Sequence, residues 1–461
     1  MYIQILSIFF ALLLVFPSYI MAQEDEESKS SITLGGYVKT DNRMRIEDDN
    51  ELSFHEYRLD LKTEANPGEN LHIFSDLWIR SIRSTDSSNV TTSSDLSDKD
   101  KVSPWNIDLR EAYVDVYGFI LEDIDLRLGR QRITWGTGDK LNPTDNLNPD
   151  DLEDLWDFGR HLGSDSMKIT YYLADLTLTG VYIPIFNPAV MPLSSDWAAA
   201  LASPMEMPAG ISIGSIRDTV NMPENNLQDG STTGIKAGIK IINFDISLSY
   251  VYGRDDIPLM NKATLTPTST PGVVDIVTEF IYPRLHVAGI DMAGSIFDIG
   301  VWAEAATFFP ERMIMVTDMT ALGYPVNNEE LVLDDERPYT KYVVGADYTF
   351  KNGIYINSQY LHGFVHERGR DGLGDYIMFG LEYKMLNDKI KIIPIQGGIE
   401  ITDFDDVKNN YAIIYSPEIS YYPYDNIELI IGAYIIDGKD TTTFGRVKDL
   451  DELFFKVKGS F

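Results

Sequence analysis

The 461-residue chain contains no cysteine, which excludes disulfides, thiolate metal sites, c-type haem attachment and a lipoprotein anchor. Basic residues are few, with 38 Lys and Arg against 71 Asp and Glu. The resulting net charge of −33 argues against a nucleic-acid partner. Beyond the amino-terminal segment, no stretch offers the ~18 consecutive apolar residues that a membrane-spanning helix needs. No GxSxG, HExxH, P-loop or dinucleotide motif occurs, so the sequence predicts neither an enzyme nor a cofactor or metal site.

The amino-terminal segment is apolar and short. An apolar run from Ile5 to Val15 is followed by Pro17 and by Ile20 and Ala22, which suit cleavage before Gln23. The alternative is an uncleaved membrane anchor, which Pro17 and the short apolar core disfavour. Residues 1–22 are therefore predicted to be a signal peptide and residues 23–461 a single domain.

The last seven residues alternate in polarity. Phe455, Val457, Gly459 and Phe461 share one face of an extended strand, while the lysines and the serine between them share the other. This ending resembles the carboxy-terminal assembly signal of bacterial outer-membrane barrels, whose last strand has lipid outside and water inside. An exported chain that ends in this way is predicted to be an all-β, antiparallel transmembrane barrel in the outer membrane of a Gram-negative bacterium.

The same period-two alternation recurs along the chain. In residues 244–252, for example, Ile246, Leu248 and Tyr250 oppose Asp245 and Ser247. About eighteen segments read in this way, and the connections between them alternate between tight turns and mostly longer loops, which is typical of a barrel with short periplasmic turns and long extracellular loops. The predicted strands are 31–46, 50–65, 69–83, 104–118, 123–136, 164–174, 175–186, 231–243, 244–254, 280–292, 296–309, 338–350, 354–367, 374–386, 388–402, 410–422, 426–438 and 449–461.

The most distinctive stretch is LRLGRQRITWG, residues 126–136. Leu126 and Leu128 form a lipid-facing side and Arg127 faces the lumen. Continued alternation would place Arg130 and Arg132 in lipid, at a cost of about 2–4 kcal/mol each near the midplane. A strand bulge is easiest at a glycine, so a bulge near Gly129 that turns Arg130 into the lumen is the preferred interpretation, and a position near the membrane interface is the alternative.

Two Asn-Pro-x-Asp units follow, at residues 142–145 and 148–151. Each is expected to fix a turn or a helix start, because Asn before Pro avoids the helical region and Pro suits the first helical position. Residues 149–158 are predicted to form a short helix with acidic residues in its first turn. The whole loop either folds into the lumen as a constriction or merely caps the barrel from outside.

The motif GRQRITWG followed by the NPxD units is similar to a GRQ…WG…NPxD pattern in a family of porin-like outer-membrane proteins, distantly similar to alginate-export barrels. The similarity covers about residues 108–160, including Leu109-Arg110-Glu111-Ala112-Tyr113. It implies a large barrel that conducts or exports solutes, and it does not name the solute. The matched positions are Arg110, Glu111, Gly129, Arg130, Gln131, Trp135, Gly136, Asn148 and Pro149.

These observations predict a porin that passes small solutes passively, with a constriction built from the GRQ strand and an inward-folded loop. The alternatives are a specific exporter or importer of acidic polysaccharide or hydrophobic compounds, and a non-conducting structural barrel or adhesin. The expected partners are outer-membrane lipid and lipopolysaccharide, small solutes, divalent cations at acidic loops, and other copies of the chain if it is a trimer rather than a monomer. The candidate pore residues are Arg110, Glu111, Arg127, Arg130, Gln131, Trp135, Asp145, Asn148, Asp150 and Glu304.

Overall fold

The structure, a computed structural model, describes residues 31–46, 51–84, 92–202, 210–324 and 328–461. The predicted signal peptide lies outside the described residues, so its cleavage and the boundary of the domain at residue 23 stay predictions. Within the described part of the chain, no helix is long and apolar enough to cross a membrane.

The described residues form twenty-four strands, numbered here in chain order. They are β1 Ser31–Arg45, β2 Leu52–Gly68, β3 Leu71–Ser84, β4 Asn106–Val116, β5 Ile124–Gln131, β6 Ser164–Leu173, β7 Leu176–Ile183, β8 Ser212–Val220, β9 Thr232–Ile241, β10 Phe244–Arg254, β11 Leu259–Pro267, β12 Val273–Ile281, β13 Arg284–Ile296, β14 Ile299–Pro310, β15 Met313–Asp318, β16 Asn328–Leu333, β17 Tyr339–Thr349, β18 Ile354–His362, β19 Asp375–Met385, β20 Ile390–Ile401, β21 Tyr411–Tyr415, β22 Glu418–Tyr424, β23 Ile427–Gly438 and β24 Glu452–Ser460.

Nineteen of these strands form one antiparallel sheet that closes on itself, because β1 pairs with both β2 and β24. β21 and β22 occupy one position in the wall, since both pair with β20 and β23 and only Ser416 and Pro417 separate them. The wall therefore has eighteen strands. Each predicted strand coincides with one of them, and the predicted barrel is confirmed.

Side chains along the wall alternate between an apolar outer face and a polar lumen. On β10 and β13, Leu248 and Ile290 are 59% and 48% exposed on the outside, whereas Ser247 and Asp291 are buried and hydrogen-bonded to each other within the barrel. Such a closed wall satisfies every backbone group without water, which is the condition for crossing a bilayer with strands. The carboxy-terminal residue completes the closure, since the Phe461 N–H donates to the Gly36 carbonyl oxygen at 3.1 Å.

A second, five-stranded sheet lies at the long-loop end, called the outer end below. Its order is β16-β15-β11-β12-β8, with parallel pairing of β11 with β15 and of β12 with β8. Its strands come from three segments that the sequence predicted to be loops, and that prediction is wrong in this respect. The sheet has a small apolar core of its own, formed by Ala263, Leu265, Val274 and Ile276.

A larger apolar core lies inside the outer half of the barrel. It joins lumen-facing wall residues such as Val343 and Leu361 to side chains of several outer loops, among them Leu155, Trp197 and Phe444. Trp197, in the connection between β7 and β8, is 8% exposed in this core. The outer loops thus pack on one another and on the wall.

Candidate functional site

The segment between β5 and β6, residues 132–163, is called the crossing loop because it contacts lumen-facing side chains on opposite walls. The strand before this loop is regular, since β5 pairs with β4 and β6 without a register shift. Gly129 nevertheless has φ 126°, and a Cβ there would lie 2.3 Å from the Ala112 carbonyl oxygen. A glycine is therefore required, although the predicted bulge at this position is absent.

Arg130 does not turn into the lumen, so the preferred interpretation is wrong. The register places it opposite Asp165, on the same face as Leu128 and Met167, which are 45% and 38% exposed. β5 ends one residue later, at Gln131. Because Arg130 lies at the outer end of the strand beside an acidic residue, its charge avoids the bilayer midplane without a bulge.

The bulge falls instead in β4, where pairing with β3 shifts between Asp76–Glu111 and Leu77–Leu109. Arg110 is the additional residue, and both it and Glu111 reach the crossing loop. The Arg110 guanidinium lies 3.1 Å from an Asp151 carboxylate oxygen and donates to the His161 carbonyl oxygen at 2.8 Å. Glu111 accepts the Arg132 N–H at 3.2 Å, so these two predicted residues hold both ends of the loop.

Asn148, in the second NPxD unit, joins the start of the crossing loop to β6. Its Oδ1 accepts the Ile133 N–H at 2.7 Å, and its Nδ2 donates to the Gln131 carbonyl oxygen at 3.1 Å and to Ser164 Oγ at 3.0 Å. In the first unit, Asp145 accepts from Arg132 Nη1 at 3.1 Å. Gln131 is fully buried. The polar groups of Asn148 and Asp145 therefore hold the loop and do not face a solute.

Trp135 packs against other apolar side chains and does not line an open lumen. It is 3% exposed and lies in an apolar cluster with Leu147, Val181 and other wall residues. Arg127 is also apart from the loop: its guanidinium binds the Asp115 carboxylate at 2.6 Å and covers the Tyr113 ring at 3.9 Å. Of the candidate residues, Arg127 and Arg130 are thus not brought together with the others.

The predicted helix over residues 149–158 is wrong, because the segment is irregular and is pinned by isolated bridges from Asp150 to His161 and from Asp151 to Val190. Its acidic side chains bind arginines of the wall instead of a solvated first helical turn. Besides the Asp151–Arg110 pair, Arg43 Nη1 of β1 donates to Asp154 Oδ1 at 2.7 Å, and Arg80 Nη2 of β3 donates to Glu153 Oε1 at 2.9 Å.

Four arginines of the wall and the crossing loop surround Trp78 of β3. Four guanidinium carbons lie within 6 Å of its ring centroid: those of Arg58 at 3.7 Å, Arg110 at 4.4 Å, Arg160 at 5.7 Å and Arg80 at 5.8 Å. Cation–π contacts of this kind favour guanidinium groups over an indole face. Apart from Arg110, the sequence did not predict these residues, since lumen-facing arginines on different strands form no local pattern.

The opposite wall holds the other side of the crossing loop. Glu304 of β14 is 3% exposed and accepts the N–H groups of Thr137 at 2.6 Å, Gly138 at 3.3 Å and Thr144 at 3.4 Å. Gln359 of β18 exchanges two hydrogen bonds with the Asp139 backbone, at 3.2 and 2.9 Å. The loop is therefore tied to β1, β3 and β4 on one side and to β14 and β18 on the other.

Two cavities adjoin the crossing loop. The larger, of about 410 Å³, lies between the loop and the wall from β18 through β24 to β1. Phe158, Phe364 and Phe444, from three different loops, line it together with outer-end residues such as Glu400. The smaller, of about 100 Å³, is lined by the NPxD units and by outer-end residues such as Asp255 and Arg368.

Three carboxylates and a histidine lie close together beside the smaller cavity, where neighbouring charges shift the pKa of two of them. Burial, with the neighbouring Asp150 and Asp255 carboxylates, raises the pKa of Asp256 to about 7, and Asp256 accepts the Asp150 N–H at 2.6 Å. Burial lowers the pKa of His161, but the Asp150 carboxylate 3.0 Å from its Nε2 outweighs this effect and leaves the pKa above its ordinary value. Asp150 thus joins the loop to Asp256 through its N–H and stabilises protonated His161 within the loop.

The closed wall with its apolar exterior and ion-paired lumen defines an outer-membrane-type β-barrel. No protein-family model and no curated protein sequence matches the chain, so the similarity to the GRQ…WG…NPxD family stays a prediction. Solved barrels do match. OmpF of Salmonella typhi, in complex with daunomycin, shares 10% identity and a TM-score of 0.39 over 93% of this chain and 97% of its own. OmpT, an outer membrane protein of Vibrio cholerae, shares the same identity and TM-score over 94% and 100%.

Proposed function

We propose that the protein is a non-enzymatic channel of the outer membrane, surrounded by membrane lipid, through which small solutes pass passively beside the crossing loop. The observation that carries this proposal is the position of the loop. It is anchored to both walls, yet leaves a cavity of about 410 Å³ along β18–β24 and β1. A barrel of eighteen strands is wide enough for an aqueous lumen, so a loop docked across it sets the free cross-section.

The ion pairs between loop and wall support docking rather than attraction of anionic solutes. Arg43, Arg80 and Arg110 each bind an acidic side chain of the crossing loop. A guanidinium paired in this way has little charge left for a passing anion. This disfavours export of an acidic polysaccharide, which would need a row of free cationic groups.

Conductance in planar bilayers tests the proposal. The wild type is compared with a variant in which residues 139–158 are replaced by a short glycine–serine linker, and with a control that carries the same linker in place of the outer residues 403–409. We expect stepwise currents from the wild type, and a conductance larger by roughly twofold or more only when the crossing loop is removed. Assembly of each variant is verified by its heat-modifiable mobility on a gel.

Silence of both the wild type and the loopless barrel would refute the channel function and favour a structural barrel or adhesin. An unchanged conductance after removal of the loop would leave a channel but refute the constriction. Liposome swelling with a panel of sugars, amino acids and organic acids then measures which solutes pass.

A further inference from the structure

The larger cavity combines an excess of acidic side chains with aromatic walls. We propose that it selects cations, and that its preferred solutes are organic cations that carry an apolar group. This inference rests on the channel function proposed above and specifies its substrate class. It is carried by three features of the cavity lining: the balance of charges, their pairing, and the aromatic rings.

The balance of charges favours cations. Among the described residues that line the cavity, seven are Asp or Glu and four are Lys or Arg. Selectivity of a pore follows the local charge at its narrow part rather than the charge of the whole protein. Walls of low dielectric around such a site concentrate its field and raise the local concentration of counter-ions.

Pairing engages most of the basic side chains of the lining, together with two of its acids. Three of the four basic side chains converge on one buried acid: Lys39, Arg43 and Lys456 lie 3.3, 3.1 and 3.5 Å from Asp41. Arg43 also binds Asp154. Most of the positive charge of the lining is therefore already engaged and is poorly available to an anionic solute.

Two carboxylates of the lining, those of Asp139 and Glu400, form no ion pair with the described residues. Asp139, in the crossing loop, accepts from the Asn357 amide at 3.2 Å. The Asp157 side chain is 47% exposed and forms a long ion pair, of 3.8 Å, with Arg160, which also binds Asp151 and Glu153. Glu400 is 2% exposed and accepts the backbone N–H groups of Thr443 and Phe444 at 2.8 and 2.9 Å.

The aromatic rings supply the apolar part of the recognition. Trp156 of the crossing loop stacks on Tyr434 of the wall with ring centroids 4.0 Å apart. The Lys456 ammonium lies 4.4 Å from the Phe454 ring centroid and 5.3 Å from that of Tyr434, so these rings already face a cation. An ammonium group with an apolar substituent matches a site of carboxylates and ring faces.

Ion selectivity is measured as the reversal potential across a bilayer in a KCl gradient. We expect the wild type to pass potassium about threefold or more better than chloride. The double variant Asp139→Asn, Asp157→Asn should lose most of this preference. Asp405→Asn is the matched control, because it removes the same charge from an exposed outer loop that does not line the cavity, and it should retain the preference.

The preference for cations that carry an apolar group is measured as block of the potassium current by added organic ions. Benzyltrimethylammonium should reduce the potassium current of the wild type, whereas benzoate at the same concentration should not, and tetramethylammonium, which lacks the ring, should act more weakly. Trp156→Leu should weaken the effect of benzyltrimethylammonium severalfold while potassium is still conducted.

Chemical modification of a single introduced thiol separates the effect of charge from any effect of the substitution on the loop structure. The chain has no cysteine of its own, so only the introduced thiol reacts. In Asp139→Cys, a sulfonate-bearing thiol reagent restores a negative charge and should restore cation preference, whereas a trimethylammonium-bearing reagent should reduce it further. A wild-type current that favours chloride or lacks preference, or block by benzoate rather than by the ammonium, would refute the inference and leave the channel function intact. Absence of any current would refute the channel function itself.

Discussion

Glu304 is predicted to control whether the crossing loop stays docked. Its buried carboxylate accepts the Thr137 N–H at 2.6 Å and the Gly138 N–H at 3.3 Å, and Thr144 adds a longer contact. Removal of the acceptor would leave two N–H groups of the docked loop without a partner, at about 1–3 kcal/mol each, so the two shorter bonds together contribute about 3 kcal/mol to docking. Glu304→Ala should therefore raise the undocked fraction about 100-fold.

Glu304→Gln gives an intermediate result in the same series. The amide retains one oxygen acceptor but turns an NH₂ group toward backbone N–H groups. If about half of the stabilisation is lost, the undocked fraction rises about tenfold. The matched control is Asp347→Ala, which removes a carboxylate from β17 whose described partner is Tyr355 at 3.2 Å and not the crossing loop.

Reactivity of a buried thiol measures docking directly. Leu141 of the crossing loop is 4% exposed, so the thiol in a Leu141→Cys background reacts only when the loop leaves its site. We expect the reaction rate to increase in the order wild type, Glu304→Gln, Glu304→Ala, with single-channel current becoming larger or noisier in the same order. Equal rates in all three, with unchanged current, would show that Glu304 does not anchor the loop.

Three further outcomes follow from the structure. Gly129→Ala should reduce the assembled, heat-modifiable fraction, because the new Cβ would lie 2.3 Å from the Ala112 carbonyl oxygen at φ 126°, whereas Gly459→Ala, with open space around it, should assemble normally. Arg130→Ala should leave conductance and selectivity unchanged, while Arg132→Ala, which removes the partner of Asp145, should increase conductance. Despite its burial, the pKa of His161 is raised by Asp150 of the same loop, so protonated His161 stabilises the conformation of the crossing loop itself. This contribution is complete below the ordinary pKa of about 6.5 and is lost as pH rises through the raised value. Wild-type current should become noisier over that range, and His161→Asn should abolish the dependence.

The barrel was predictable because its signal is repeated. A single alternation such as Ser247 in and Leu248 out is weak, but eighteen of them with connections of alternating length define a closed wall. The five-stranded sheet at the outer end was missed for the same reason. Strands β8, β11 and β12 lie in segments that the sequence predicted to be long loops. The parallel pairing of β8 with β12 also joins parts of the chain that are far apart in sequence.

The candidate site was only partly predictable. The GRQ and NPxD motifs marked the crossing loop, and Glu111, Asp145 and Asn148, which were predicted as pore residues, hold it in place. Glu304 was a candidate pore residue, but no motif reveals that it anchors the loop, because it lies 167 positions from Thr137 in sequence. The helix prediction failed because arginines of β1 and β3 bind acidic side chains that would favour a helix start in isolation.

The composition of these contacts explains how a loop can be held in a wet lumen. Apolar packing fixes its outer side, where Leu141 and Leu155 join the core with Val343, whereas ion pairs such as Arg43–Asp154 and Arg80–Glu153 fix the side along β1 and β3. These side chains are only 3–11% exposed, and salt screens buried pairs far less than exposed ones. The β1–β3 side should therefore stay docked in high salt, as the apolar side and the Glu304 anchor do, so conductance should rise in proportion to the bulk conductivity. A conductance that rises faster than the bulk conductivity would show that water and ions reach these pairs and loosen the loop.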